Sequence, residues 1–325
     1  MRTLGDALAV DVLECCACHS GRLEARTRAD SAQLLCSGCG AVFEVKNGIP
    51  RFVAADGYAQ SFGFQWNTHR RAQLDSCSGV PISSNRLFGT TGWPRSLAGE
   101  RVLEAGSGAG RFTEVMVGTG AEVFSLDYSS AVDANAQNNG AARNLTLFQA
   151  DILNLPLRPR SFDRVLCIGV LQHTPDPARA FASLAEKVKP GGQLVVDVYR
   201  RQMTSMISWK YLLRPFTKRM LQQQLYGLLK KVVPPLVPFT AMLRRVGGAG
   251  AARLSPILEY SHLGLHGEAN REWALLDTFD MYSPAYDLPQ SARTLRAWFE
   301  KAGFEELDVG YGPHGLVGRG RRPAR

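Results

Sequence analysis

The sequence has 325 residues, is 45% hydrophobic and 21% charged, and carries a net charge of +9. That length allows one large domain or two modest ones. The start shows no apolar core behind a basic stretch, and the uncharged run from Val232 to Leu243 is short and holds three prolines. These features exclude a transmembrane span and argue against a secretory leader, so a cytoplasmic protein is expected.

Residues 1–53 hold five of the seven cysteines. Cys15-x-x-Cys18 and Cys36-x-x-Cys39 lie 17 residues apart, a spacing that reads as a zinc site. Each knuckle presents two thiolates to one tetrahedral ion. Reduced cysteines without metal are the plainer reading. Cys16 breaks the spacing and is left out, and His19 is a weaker substitute ligand. Residues 34–53, from Leu34 through Cys36-Ser-Gly-Cys39-Gly to Gly48-Ile-Pro-Arg-Phe-Val53, resemble the Trm112-like zinc ribbon. The usual first knuckle of that family is C-P-x-C, and here Cys16 replaces the proline. The resemblance implies a structural or docking role without catalysis.

Residues 54–99 form a linker and N-terminal lid. Phe62, Phe64 and Trp66 alternate with polar residues, which reads first as core packing. The segment Phe62-Gly-Phe-Gln65-Trp66 also resembles a lid that methyltransferases carry over the cofactor pocket, so Gln65 and Trp66 are site candidates.

Residues 100–200 alternate strand and helix patterns, which calls for a parallel sheet. Val102 and Leu103 suit a buried strand, Gly106, Gly108 and Gly110 follow, and Phe112, Val115 and Met116 begin a helical spacing. Glycine lets backbone approach a ligand closely and tolerates positive φ. A second strand ends at Asp127, about 20 residues on, where Rossmann-like folds place the acid for a ribose. Tyr128 and Ser129 are expected to open the next helix, with Ser129 as N-cap. Asn144–Gln149 reads as the third strand, Ser161–Val170 as the fourth, Lys189–Gly192 as a turn, and Gln193–Tyr199 as the fifth strand.

The sequence Glu104-Ala-Gly106-Ser107-Gly108-Ala-Gly110-Arg111 resembles the first motif of class I S-adenosylmethionine (SAM)-dependent methyltransferases, of the type 11-like branch. Val170-Leu-Gln172-His173-Thr-Pro-Asp176-Pro resembles a later motif of the same branch, which includes small-molecule and lipid enzymes. The resemblance implies that Glu104 helps place the methionine ammonium, and that Gly106, Ser107, Gly108 and Arg111 lie at the cofactor. It further implies Asp127 at the ribose with Tyr128 at the cofactor, and Asp151 and Ile152 at the adenine, and the strand-end position of Gly169 and Gln172 points them at the methionine half or the acceptor. For Asp151 a plain helix cap is the alternative. His173 is the catalytic candidate, as a general base or as a wall residue holding the loop.

Residues 201–272 read as a basic helical insert. The stretch 200–253 contains eleven Lys or Arg and no acid, more than the whole chain's net charge. Leu221, Leu225, Leu228, Leu229, Val232 and Val233 follow helical spacing beside Lys218, Arg219, Lys230 and Lys231. Pro234, Pro235 and Pro238 are expected to break that helix. Three readings stay open: a lid, peripheral contact with an anionic membrane or a lipid-linked substrate, and nucleic acid, the least favoured. Residues 273–325 return to the sheet. Asp277, Asp280, Tyr282 and Tyr286 are acceptor-binding candidates, with core packing as the default. Ser291–Ala302 reads as a helix and Phe304–Val309 and Gly315–Gly318 as strands.

The expected fold is α/β, a Rossmann-like seven-stranded methyltransferase sheet with an N-terminal zinc ribbon and a helical insert. The expected function is methyl transfer from SAM to a small-molecule or lipid/sugar-linked acceptor. A ribosomal-RNA guanine methyltransferase and a non-catalytic SAM-binding docking protein are the alternatives.

Overall fold

Four short antiparallel strands come first along the chain: β1 (Leu23–Arg28), β2 (Ser31–Cys36), β3 (Val42–Lys46) and β4 (Ile49–Pro50). The structure, a computed structural model, describes residues 11–28, 31–53, 57–201, 208–312 and 314–324. The β1–β2 register sets Leu23 opposite Cys36, which brings the two cysteine turns to one end of this small sheet. The ribbon is not a separate body. Leu13, Leu23 and Leu34 are buried in the same apolar cluster as Phe124, Phe148 and Phe162 of the large sheet. Arg51 bridges in parallel to Gln149, and its guanidinium meets Asp133 at 2.6 Å.

The linker forms α1 (Gln60–Thr68), α2 (Asp75–Ser78) and α3 (Ile82–Thr91). The large sheet then alternates with helices: β5 (Arg101–Ala105), α4 (Arg111–Val117), β6 (Glu122–Asp127), α5 (Ala131–Asn139), β7 (Leu145–Gln149), β8 (Phe162–Cys167), α6 (Pro177–Lys187) and β9 (Val188–Val198). Its seven strands run in the order β10-β11-β9-β8-β5-β6-β7, with β5 to β9 parallel to their neighbours in that run. The last two, β10 (Glu305–Gly312) and β11 (Gly315–Arg321), follow α10 (Ala292–Lys301), and β11 runs antiparallel to both neighbours. The central strands are buried on both faces, as their near-continuous apolar runs require. Strand order reverses at β5, which lies between β6 and β8, and that reversal opens a crevice beyond the strand ends.

The insert holds α7 (Trp209–Thr217), α8 (Gln222–Ala252) and α9 (Gly267–Tyr282). Leu225, Leu229, Val233 and Val237 bury against Ala274, Leu275 and Phe279 of α9. The expected break at Pro234, Pro235 and Pro238 does not occur, and α8 runs through all three. Pro235 and Pro238 lie on the solvent side, where carbonyls left without an N–H partner can bond water. Burial of the opposite face holds the helix together. The non-helical residue is Gly248, at φ 67°.

Three other expectations need correction. The helix after Asp127 begins at Ala131 rather than Tyr128. Ser129 Oγ donates to Asp127 Oδ1 at 2.7 Å and accepts from the Ala131 amide at 3.2 Å, so the carboxylate sets the turn. The Lys189–Gly192 turn lies within β9, where the pairing with β8 shifts register. A boundary after residue 272 would cut α9, which packs as one helix against α8.

Candidate active site

A cavity of about 820 Å³ occupies the crevice, within the usual range of about 300–1,000 Å³ for ligand pockets. Its floor is the glycine turn after β5. Gly106 sits at φ 80°, and a Cβ there would collide with the Val170 side chain. Gly108 sits at φ 53° with Trp66 of α1 directly against it; a Cβ would lie 2.9 Å from the indole. Glycine at both positions lets the Val170 and Trp66 side chains pack directly on the turn, which lines the cavity. Asp127 closes the end of β6. Its Oδ2 accepts from the Gly108 amide at 2.9 Å, and its Oδ1 accepts from the Ser129 amide at 2.9 Å. Ser129 Oγ also donates to Oδ1, so the turn fixes the carboxylate where it lines the cavity. Ile152 and Leu126 supply apolar surface, and Tyr58 stacks on Tyr128 at 4.6 Å.

The opposite wall comes from α3, α4, α7 and α9 and is charged. Arg111 packs over Phe112 and Trp273, donates to Ser83 and Gln73, and has no carboxylate within ion-pair distance among the described residues. Burial lowers it to about 9. Arg86 meets Asp197 at 3.1 Å, and Asp197 also accepts from the Gly169 amide. Asp277 accepts from Tyr260, from Trp273 Nε1 at 3.1 Å and from Gln73 Nε2 at 2.9 Å. Burial raises both Asp277 and Asp280 to about 6.

His173 joins the two walls. Nδ1 lies 3.0 Å from the Tyr286 carbonyl and must donate to it, so Nε2 carries the lone pair. Nε2 is buried without a hydrogen-bond partner, and the ring lines the cavity. Burial lowers His173 to about 4, which keeps it neutral near pH 7. Gln65 is equally pointed: it lines the cavity, is 2% exposed, and neither amide atom has a partner.

The structure brings Gly106, Ser107, Gly108, Arg111, Asp127, Tyr128, Ile152, Gly169 and His173 to the cavity. Three candidates stand behind it. Glu104 shares a face of β5 with Val102, because strand side chains alternate, and so turns toward α4. It accepts from Thr113 and from Ser125 at 2.7 Å, and burial raises it to about 7. Asp151 accepts from the Leu153 amide at 2.9 Å across a turn that no helix follows, so the plain helix cap does not occur. Gln172 is wholly buried, with its amide atoms unpartnered. Arg111 belongs to the charged wall more than to the glycine turn. Of the acceptor candidates, Asp277 and Asp280 line the cavity, Tyr282 bonds the Pro256 carbonyl inside the insert core, and Tyr286 contributes its backbone carbonyl. Phe62, Gln65 and Trp66 line the cavity, while Phe64 packs on Tyr226 and Phe279. Sequence reading missed Arg86, Gln73, Tyr199, Lys210 and Tyr260, which sit in no motif.

The second candidate centre is in the ribbon. Sγ atoms of Cys15, Cys18, Cys36 and Cys39 all lie within 4.8 Å of one another, with Cys15–Cys39 and Cys18–Cys36 at 3.7 Å. Zinc–thiolate bonds of about 2.3 Å give a tetrahedral edge near 3.8 Å, so the donor set fits one zinc ion. Cys16 and His19 lie outside the set, and His19 instead faces Glu14.

Strand order, glycine turn and acid at β6 define a Rossmann-like methyltransferase fold. Residues 103–196 match the methyltransferase domain family. The chain is 31% identical over 126 residues to a ubiquinone biosynthesis O-methyltransferase of Methylococcus capsulatus, covering 37% of this chain and 53% of that protein. It is 32% identical over 143 residues to an uncharacterised protein of Synechococcus, covering 42% and 31%. The chain thus spans about half of the first relative's length and less than a third of the second's. Solved structures with a similar arrangement include a putative SAM-dependent methyltransferase of Methanococcus maripaludis, at 12% identity and TM-score 0.45 over 82% of this chain and 94% of that one. A complex of a Trm112 methyltransferase activator with a putative methyltransferase from Haloferax volcanii matches at 13% identity and TM-score 0.47, over 83% of this chain and 100% of that one.

Proposed function

We propose that this chain transfers a methyl group from SAM to a small-molecule or lipid/sugar-linked acceptor. The observation that carries the proposal is one cavity with two walls: the glycine turn with Asp127 on one side, a charged and aromatic wall on the other, and the His173 lone pair between them. SAM supplies, when bound, a methyl already activated on a sulfonium. Gly106, Ser107 and Gly108 would lie under that ligand, Asp127 would hold the ribose diol, and Ile152 would pack on the adenine. Gln65 offers an unpartnered amide to the ligand from the lid. Arg86, Arg111, Asp277 and Asp280 face the remaining space and would orient the acceptor. Methyl transfer between aligned partners gains chiefly from proximity and orientation, which this rigid cavity can provide. His173, neutral and fixed by Tyr286, would accept a hydrogen bond from the acceptor's hydroxyl or amine. The names of the ubiquinone-pathway relatives favour a small acceptor. The four cysteines would hold zinc in a Trm112-like ribbon whose role is structural, since the ribbon shares its core with the sheet.

The test is titration calorimetry on the purified chain with SAM and with its demethylated product. Binding of both, followed by methyl transfer in a screen of hydroxyl and amine acceptors, is the expected result. Absence of binding by the wild type overturns the proposal. Binding without transfer to any acceptor supports the docking-protein alternative instead.

A further inference from the structure

The insert leaves an unusual amount of apolar surface in water. Among the described residues sixteen large apolar side chains are exposed, and twelve of these lie between residues 209 and 263. They are ordered. On α8, Leu221 just before its start and then Leu228, Val232, Phe239, Met242 and Val246 recur at intervals of 7, 4, 7, 3 and 4 residues. At 3.6 residues per turn those intervals fall on one face. It is not the face that packs on α9, which carries Leu225, Leu229, Val233 and Val237. The helix therefore has two apolar stripes, one buried and one exposed along its length. On α7, Trp209, Leu212 and Phe216 repeat the pattern at 3 and 4 residues, with Phe216 at 71% exposure.

Charge decides what fits such a surface. Lys218, Arg219, Lys231 and Arg245 are exposed, and none has a carboxylate within ion-pair distance among the described residues. Residues 200–253 contain no acid at all. A second copy laid face to face would set cation against cation. A nucleic acid would meet the cations but has no use for the apolar stripe. A bilayer bearing anionic headgroups answers both features: hydrocarbon receives the stripe, and headgroups receive the flanking cations. The same surface reaches the cavity, because Trp209, Leu258 and Leu263 are exposed and also line it.

We propose that the exposed face of α7 and α8 docks on an anionic lipid bilayer. The docking does not depend on methyl transfer, so its test is separate from that of the activity. Co-sedimentation of the full chain with vesicles of mixed phosphatidylglycerol and phosphatidylcholine should show binding that weakens as salt rises. Vesicles of phosphatidylcholine alone should bind far less. A basic residue near an anionic surface is worth about fivefold in affinity, so the double variant Lys231→Gln, Arg245→Gln should bind about 30-fold more weakly. Leu228→Ser with Phe239→Ser should cost at least about a hundredfold, since each removes a deeply inserted side chain. All four positions are exposed, and an unchanged thermal unfolding midpoint shows that the variants still fold. Equal binding to neutral and anionic vesicles, or none, overturns the proposal. So does concentration-dependent dimerisation in solution that Leu228→Ser with Phe239→Ser abolishes, because a second copy would then cover the stripe. RNA binding that the charge variant removes and the apolar variant leaves intact overturns it in favour of nucleic acid.

Discussion

On one side of the cavity Gly106, Gly108 and Asp127 offer backbone and a single carboxylate from one continuous stretch of chain. On the other, Arg86, Arg111, Lys210, Asp277 and Asp280 offer charged side chains from four helices, α3, α4, α7 and α9. The first wall depends on conformation: it works because side chains are missing and φ is positive. The second depends on a network: Gln73 joins Arg111 to Asp277, and Asp197 joins Arg86 to Gly169. A wall of the first kind should fail outright when one atom is added. The second should lose its components by degrees and change what it recognises.

The largest effect should come from the ribbon that buttresses the first wall. Cys36→Ser should leave less than one zinc ion per chain by elemental analysis and lower stability by about 4 kcal/mol, since loss of a metal is among the few changes of that size. The loss should reach the sheet, because Leu13 and Leu34 share its core. Chemical unfolding followed at the tryptophans measures it, and an unchanged midpoint would separate ribbon from sheet. Gly106→Val tests the wall itself. A β-branched residue at φ 80° is strained by about 1–3 kcal/mol, and its Cβ would collide with Val170, so SAM binding should be lost. Asp127→Ala should be milder, weakening SAM by about 1.5–3 kcal/mol for hydrogen bonds to a charged group. Calorimetry reads both, and the comparison breaks if the glycine variant binds better than the aspartate variant.

The difference between the walls also explains what could be read in the sequence. Gly106, Gly108, Asp127 and the four cysteines were legible because each is a local necessity: a turn, a strand end, a paired knuckle. Arg86 and Gln73 were not, because their meaning arises only when α3 and the segment before it fold over Arg111. Glu104 was legible as a position, but its hydrogen bonds from Thr113 and Ser125 were not, since they arise only when α4 and β6 pack against β5. The prolines of α8 were read as a break in the helix, and the helix runs through all three. Packing of Leu225, Leu229, Val233 and Val237 on α9 outweighed them. The acid-free stretch was plain in the sequence, but the division of its leucines into a buried and an exposed stripe was not.

The smallest expected effect falls on His173, which stands between the walls. A general base contributes typically about 10²–10⁴-fold in rate and works best with a pKa near the working pH. His173 is pushed down to about 4 by burial, and the Tyr286 carbonyl holds its Nδ1–H without restoring the charge. A proton taken from the acceptor would therefore not rest there near pH 7. What the ring offers is a fixed lone pair, and one ordinary hydrogen bond is worth about 0.5–1.5 kcal/mol. His173→Asn should thus lower kcat/KM by no more than about tenfold and leave SAM affinity unchanged. The shape of the pH profile should survive the substitution. Any acid limb is expected from other groups: Glu104, raised to about 7, and Asp277 and Asp280, raised to about 6, are charged above those values and take up protons as pH falls through them. A loss beyond a hundredfold in His173→Asn, with the acid limb of the profile removed, would make the imidazole a base and place the proton transfer where only an orienting contact is expected.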